Sequence, residues 1–100
     1  MKIEFLAAAR EEFLSAVSYY DSKKQGLGDE FYDEVWRTIS RVVSHPFAWQ
    51  PISSRTRRCR TKRFPFGVIY RARSDSILII AVMHLHRHPE SWRDRVSEDG

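Results

Sequence analysis

Polar and apolar residues alternate from Lys2 to Leu6, with Ile3 and Phe5 on one side, a period of two that predicts a short first strand. From Ala7 the period lengthens. Ala9, Phe13, Ala16, Val17 and Tyr20 recur at three- and four-residue spacing while Arg10, Glu11, Glu12 and Asp21 take the other face, which predicts an amphipathic helix to about Lys24. Gln25-Gly26-Leu27-Gly28 breaks it with two residues free to adopt positive φ, and Asp29 places an acid where a helix N-terminus favours one. Phe31, Val35, Ile39 and Val42, widened by Tyr32, Trp36 and Val43, form a second stripe from Asp29 to Ser44. Pro46 disfavours helical geometry at His45 and ends it. A four-residue break makes the two helices an antiparallel hairpin whose apolar stripes need a third surface.

That surface is predicted in the second half. His45 to Ser54 contains Pro46 and Pro51, lacks a period and reads as a loop, with Phe47 and Trp49 expected over a core edge. Arg55 to Arg63 has six bases in nine residues and no acid; as a strand it sets Arg58, Arg60 and Lys62 on one face and Cys59 and Thr61 on the other. Phe66 to Arg73 alternates Phe66, Val68 and Tyr70 against Gly67, Ile69 and Arg71. Arg73-Ser74-Asp75-Ser76 is a turn signal, and Ile77 to Met83, apolar at every position, is a strand covered on both faces. The predicted fold is α+β, in the order β-α-α-β-β-β, with an antiparallel four-stranded sheet and the helical hairpin on one of its faces. The first strand lies beside the last, and the basic strand forms the far edge, where its cations resist edge-to-edge pairing. Residues 1–100 are read as one domain, with 97–100 a disordered tail.

Composition narrows the class. A 100-residue chain with 42% hydrophobic and 13% aromatic content has enough for one core. The lone Cys59 cannot form an internal disulfide, and Met1 to Phe5 lacks the apolar run of a signal peptide, so a reducing cytoplasm is expected. The longest apolar run is Ile77 to Met83, far short of the roughly 20 residues of a membrane-spanning helix. The net charge of +4 is divided unevenly: residues 1–50 carry six bases against eight acids, and residues 51–100 eleven against five. A field concentrated in one half attracts polyanions, whether nucleic acid, an acidic protein segment or an acidic surface.

The candidate chemistry is cationic. Arg57, Arg58, Arg60, Lys62 and Arg63 form either a solvated edge or a polyanion-facing surface, since a planar guanidinium binds phosphate or carboxylate bidentately. Arg93 and Arg95 extend it. His84-x-His86-x-His88 has zinc-compatible spacing, but Pro89 interrupts it and no carboxylate ligand is implied, so no metal is expected. If the chain cleaved RNA, His84 or His86 would serve as base or acid and Arg71 or Arg87 as phosphate clamps; His84 as the cap of a strand is the simpler role. Tyr70 reads as a core aromatic and Trp92 as a pin between tail and sheet, while Glu12 and Asp33 read as solvent-facing. Gly26-Leu27-Gly28 joins two helices and does not follow a strand, and Ser53 and Ser54 lack a triad, so no nucleotide cofactor or other cofactor is expected.

The chain resembles the RelE/ParE family of bacterial toxins from toxin–antitoxin modules. The resemblance is carried by Ala9, Glu12, Tyr19-Tyr20, Gly26-Leu27-Gly28, Phe31, Val35 and His45-Pro46 in the first half. In the second half Arg57-Arg58, Arg63-Phe64-Pro65-Phe66-Gly67-Val68-Ile69-Tyr70, Ala81-Val82-Met83-His84, Arg87, Pro89, Trp92 and Arg95 carry it. Arg63 to Phe66 and His84 to Trp92 look most like the ParE branch. That resemblance implies a plasmid-stabilisation toxin that binds DNA gyrase without cutting nucleic acid, is neutralised by a cognate antitoxin, and meets promoter DNA only through that antitoxin. The RelE branch would imply instead a ribosome-dependent endoribonuclease acting on mRNA. Arg57, Arg58, Arg60, Lys62, Arg63, Arg87, Trp92 and Arg95 are the residues expected to meet antitoxin or target.

Overall fold

The computed structural model describes residues 1–87 and 90–96. Strand β1 (Lys2–Phe5) passes through Leu6 into helix α1 (Ala7–Lys23), and α2 (Leu27–Ser44) follows after a short break. Gly26 takes φ +88°, and Asp21 Oδ1 accepts the N–H groups of Gly26 and Gly28 at 3.0 and 3.3 Å. Gly28 permits the close approach of the helices, because a Cβ there would lie 2.5 Å from the Val17 carbonyl oxygen. Strands β2 (Gln50–Pro51), β3 (Arg57–Arg60), β4 (Phe66–Ala72) and β5 (Ser76–His84) complete a five-stranded sheet in the order β1-β5-β4-β3-β2, and a 3₁₀ helix spans Ser91–Arg95.

The α+β class and the central place of the all-apolar strand are as expected, but the sheet is not wholly antiparallel. β1 pairs with β5 in parallel, Lys2 opposite Ser76 through Phe5 opposite Ile79. The path of the helices explains it. α1 continues in the sense of β1, from Leu6, bonded to the Ile79 carbonyl, up to Tyr20, whose ring lies 6.1 Å from Phe66. Only α2 runs back, from Phe31 beside Phe66 to the loop whose Pro46 carbonyl accepts the Tyr70 hydroxyl at 2.5 Å. The chain therefore enters β3 at the end where β1 began, and two antiparallel steps give β5 the direction of β1.

A second correction concerns the far edge. β2 pairs Gln50 with Arg58 and Pro51 with Arg57, so it, and not the basic strand, is outermost there. Pro51 suits an edge, where no ladder donor is needed, and two residues are too few to show a period. The loop prediction is half corrected: Trp49 packs on the core and donates from Nε1 to the Arg41 carbonyl (3.3 Å), but Phe47 is 71% exposed.

One core joins the helices to the sheet through Phe13, Phe31, Val35, Ile39, Val42, Val68, Tyr70, Ile77, Ile79 and Val82. On the other face Ile69, Leu78, Ile80, Ala81 and Met83 meet Trp92, with Ile52 and Val96 beside them. A bulge lets β5 serve both: Ile69 pairs with Ala81 but Tyr70 with Ile79, leaving Ile80 unpaired. No helix among the described residues is long and apolar enough to cross a membrane. The expected tail at 97–100, together with His88 and Pro89, lies outside the described residues.

Candidate functional site

The basic segment divides between the two faces of the sheet. Cys59 is buried on the helix side, where burial pushes its thiol pKa up despite nearby Arg41, while Arg58 and Arg60 take the helix-free side. Arg58 donates to Gln50 Oε1 at 2.6 Å, tying β3 to β2. Arg57 shares the face of Tyr70, its partner across the ladder, and donates to the carbonyls of Phe47 (3.1 Å) and Trp49 (2.8 Å). It shapes the loop. Burial against that loop and the core pushes the Tyr70 hydroxyl up to about 12, although Arg57 pulls the other way.

Lys62 and Arg63 project from a turn between β3 and β4, exposed at their tips but anchored through their backbone. Both N–H groups donate to Glu34 Oε2, at 2.5 and 3.1 Å. The Arg63 guanidinium reaches Glu30 at 3.0 Å and lies over the Phe64 ring. Phe64 adopts φ +71°, a left-handed conformation that an aromatic residue rarely takes; its ring is wedged 4.8 Å from Tyr20 and 5.2 Å from Phe31.

At the far end of β5, His84 packs edge-on to Phe66 and accepts the His86 N–H at Nδ1, 3.1 Å away. Desolvation, then the charges of Arg87 and His86, lower its pKa, so the ring is neutral at pH 7. Arg71 sits at the opposite end of the hairpin, paired with Leu78 and donating from Nε to Thr56 Oγ1 at 3.0 Å. Phe66, opposite His84, and Arg71 are five residues apart on β4, which at strand rise is about 17 Å. The four residues suited to RNA cleavage thus do not converge: His84, His86 and Arg87 share one end and Arg71 the other. Trp92 is buried at 2% exposure, with the Arg93 guanidinium over its ring, and Arg95 is engaged with Glu12. Among the described residues no group of three His, Cys, Asp or Glu side chains is placed to hold a metal ion.

Two features escaped the sequence. An aromatic groove of about 490 Å³ opens between β1 and the helices, lined by Ile3, Phe5, Phe13, Leu14, Tyr32 and Trp36 with Arg10 at its rim. Leu14 and Tyr32 are 50% and 44% exposed; the available signal was Leu14, an apolar residue off the stripe of α1. The second is Glu34, an acid lying on the apolar stripe of α2 and only 4% exposed.

Comparison with known proteins agrees with this geometry. The profile of the family described as ParE toxin of type II toxin-antitoxin system, parDE, matches residues 3–89, from β1 past the end of β5. Among solved structures, the chromosomal ParDE TA system from P. aeruginosa is similar in fold, with a TM-score of 0.72 at 14% identity over 84% of this chain and 95% of that one. No curated protein sequence matches significantly. The family match covers almost the whole fold, and the chain belongs to the ParE toxin family of type II toxin–antitoxin systems.

Proposed function

We propose that the chain is a growth-inhibiting toxin that acts in the cytoplasm by binding DNA gyrase and is silenced by a cognate antitoxin, with promoter DNA reached only through that antitoxin. The family match over residues 3–89 carries this reading. Two features of the molecule favour binding over catalysis. Acid–base cleavage needs groups of matched pKa around one phosphate, whereas Arg71 and His84 stand about 17 Å apart on the hairpin. The basic residues are displayed for recognition: Arg60, Lys62 and Arg63 are exposed, and Arg58 borders a cavity on the helix-free face. An acidic antitoxin segment would meet this surface, and the aromatic groove offers apolar area to the rest of it.

The test uses the purified full chain. Supercoiling by gyrase should be inhibited and then restored by the antitoxin encoded in the adjacent reading frame. His84→Ala combined with His86→Ala should leave growth inhibition intact, and translating ribosomes exposed to the toxin should carry uncut messages. Charge reversal of Arg58 and Arg60 to Glu should weaken a nanomolar antitoxin complex, about 12 kcal/mol in depth, by ten- to a hundredfold. Codon-positioned message cleavage that disappears in the double histidine variant would replace this reading with a ribosome-dependent endoribonuclease.

A further inference from the structure

A cavity of about 460 Å³ opens where the loop after α2 meets the outer ends of β3 and β4. Its wall includes Arg55, Arg57, Arg71 and Arg73, the Ser53 hydroxyl and, at the mouth, Phe47, and none of its lining residues is acidic. The four arginines are not equivalent. Arg57 is tied to the Phe47 and Trp49 carbonyls and Arg71 is buried against Thr56 with further partners of its own. Arg55 and Arg73 are exposed, and the nearest acid to Arg73 is Glu4, at 3.8 Å. The Ser53 hydroxyl makes no hydrogen bond among the described residues.

Phe47 gives the cavity its character. A side chain of this size left 71% exposed gains little from the hydrophobic effect, yet it is held in place: Arg57 donates to its carbonyl and lays a guanidinium 5.6 Å from the ring centre. An aromatic face presented beside the exposed Arg55 and Arg73, the latter only loosely paired with Glu4, is the arrangement that takes up an unstacked base and its phosphate. A second cavity, of about 290 Å³, shares Pro51 with the first and adds Arg58; its Arg93 is paired with Glu90, which also lines it, so only Arg58 carries the cationic path past the first cavity.

We propose that this cavity binds a single-stranded segment of nucleic acid, a base stacking on Phe47 and its phosphate held by Arg55 and Arg73. The site is separate from the His84 end of the hairpin and implies no cleavage. Phe47, Arg55 and Arg73, which would hold the ligand, are not among the residues proposed to meet gyrase or antitoxin, so either reading can fail without the other.

The experiment is fluorescence anisotropy of a labelled decathymidylate titrated with the full chain across a salt series. Binding should weaken about tenfold in Phe47→Ala, as loss of one base–aromatic stack demands, and recover in Phe47→Trp. The double variant Arg55→Ala and Arg73→Ala should reduce the slope of log K against log salt by about 0.7, the change expected when one phosphate on a single strand loses its neutralising contacts. Both sites are exposed, so thermal unfolding should match that of the parent. Failure of the decamer to bind at low salt would overturn the proposal, as would equal binding by parent and folded variants. Thymidine monophosphate competing as well as the decamer would overturn it in favour of a free nucleotide. Displacement by poly-glutamate with no effect of Phe47→Ala would overturn it in favour of an acidic peptide.

Discussion

Glu34→Ala should lower the free energy of unfolding by about 3 kcal/mol, seen as a fall in the urea midpoint at unchanged slope. The carboxylate is 4% exposed, and a single oxygen, Oε2, accepts both N–H groups that begin the turn after β3, at 2.5 Å from Lys62 and 3.1 Å from Arg63. Deleting it strands two part-buried donors at once. Glu34→Gln keeps an oxygen where Oε2 stands and loses only charge, including the attraction of Arg37 at 3.5 Å, so it should cost about 1 kcal/mol. Equal losses in the two variants would show that charge, and not the shared acceptor, matters.

The same residue sets a pH dependence. Burial acts to raise the Glu34 pKa, but the N–H groups of Arg63 and Lys62 and the charges of Arg41 and Arg37 outweigh it and hold the carboxyl below its ordinary value. A depressed folded pKa contributes stability that is complete above the unfolded value, about 4.3, and is lost as pH falls through the folded one. Stability of the parent should therefore decline below about pH 4.3, and Glu34→Gln should decline less steeply over that window. Parallel curves would remove Glu34 from the acid response.

Why Glu34 went unread, when so much of its helix was legible, is a matter of what periodicity reports. Spacing sorts residues by face, so the stripes of α1 and α2, the covered strand β5 and the split of Arg58 and Arg60 from Cys59 could all be read from one chain. It does not report direction. The parallel pairing of β1 with β5 depends on α1 continuing in the sense of β1, which no local pattern encodes. Nor does it report which distant backbone groups need a partner. Glu34 falls between Phe31, Val35 and Thr38 on the buried stripe, where an acid at a core-facing position was the available sign; Glu12, expected on the solvent face of α1, is instead half-buried against Arg95 and the Val82 N–H. The cationic character of the second half was plain from composition, but its sorting into loop-shaping Arg57, buried Arg71 and exposed Arg55 and Arg73 required the fold. Phe47 is the clearest instance, since an aromatic residue in a proline-flanked loop is expected to find a core and here it does not.

Glu12→Ala should loosen the C-terminal 3₁₀ helix and cost about 2 kcal/mol. Arg95 meets Glu12 in a bidentate pair, at 2.6 and 2.8 Å, and the pair closes a gap in the sheet. Beyond Leu6, β1 no longer covers β5, and the bulge at Ile80 leaves backbone groups facing that open edge. Arg95 donates to the Ile80 carbonyl at 3.1 Å and Glu12 Oε1 accepts the Val82 N–H at 3.2 Å, so each partner also satisfies one strand group. Breaking a fully buried pair costs about 3–5 kcal/mol; here the side chains retain 19% and 27% exposure, and the solvent left to them reduces the figure. Arg95→Lys keeps the charge but cannot reproduce the two-pronged contact, so it should restore less than half of the loss seen in Arg95→Ala. A double-mutant cycle between Glu12→Ala and Arg95→Ala should give a coupling of about 1–2 kcal/mol, and amide exchange at Val82 should accelerate in Glu12→Ala. Additive losses with Val82 protection unchanged would show that the ion pair lies on the surface of the fold without closing its open edge.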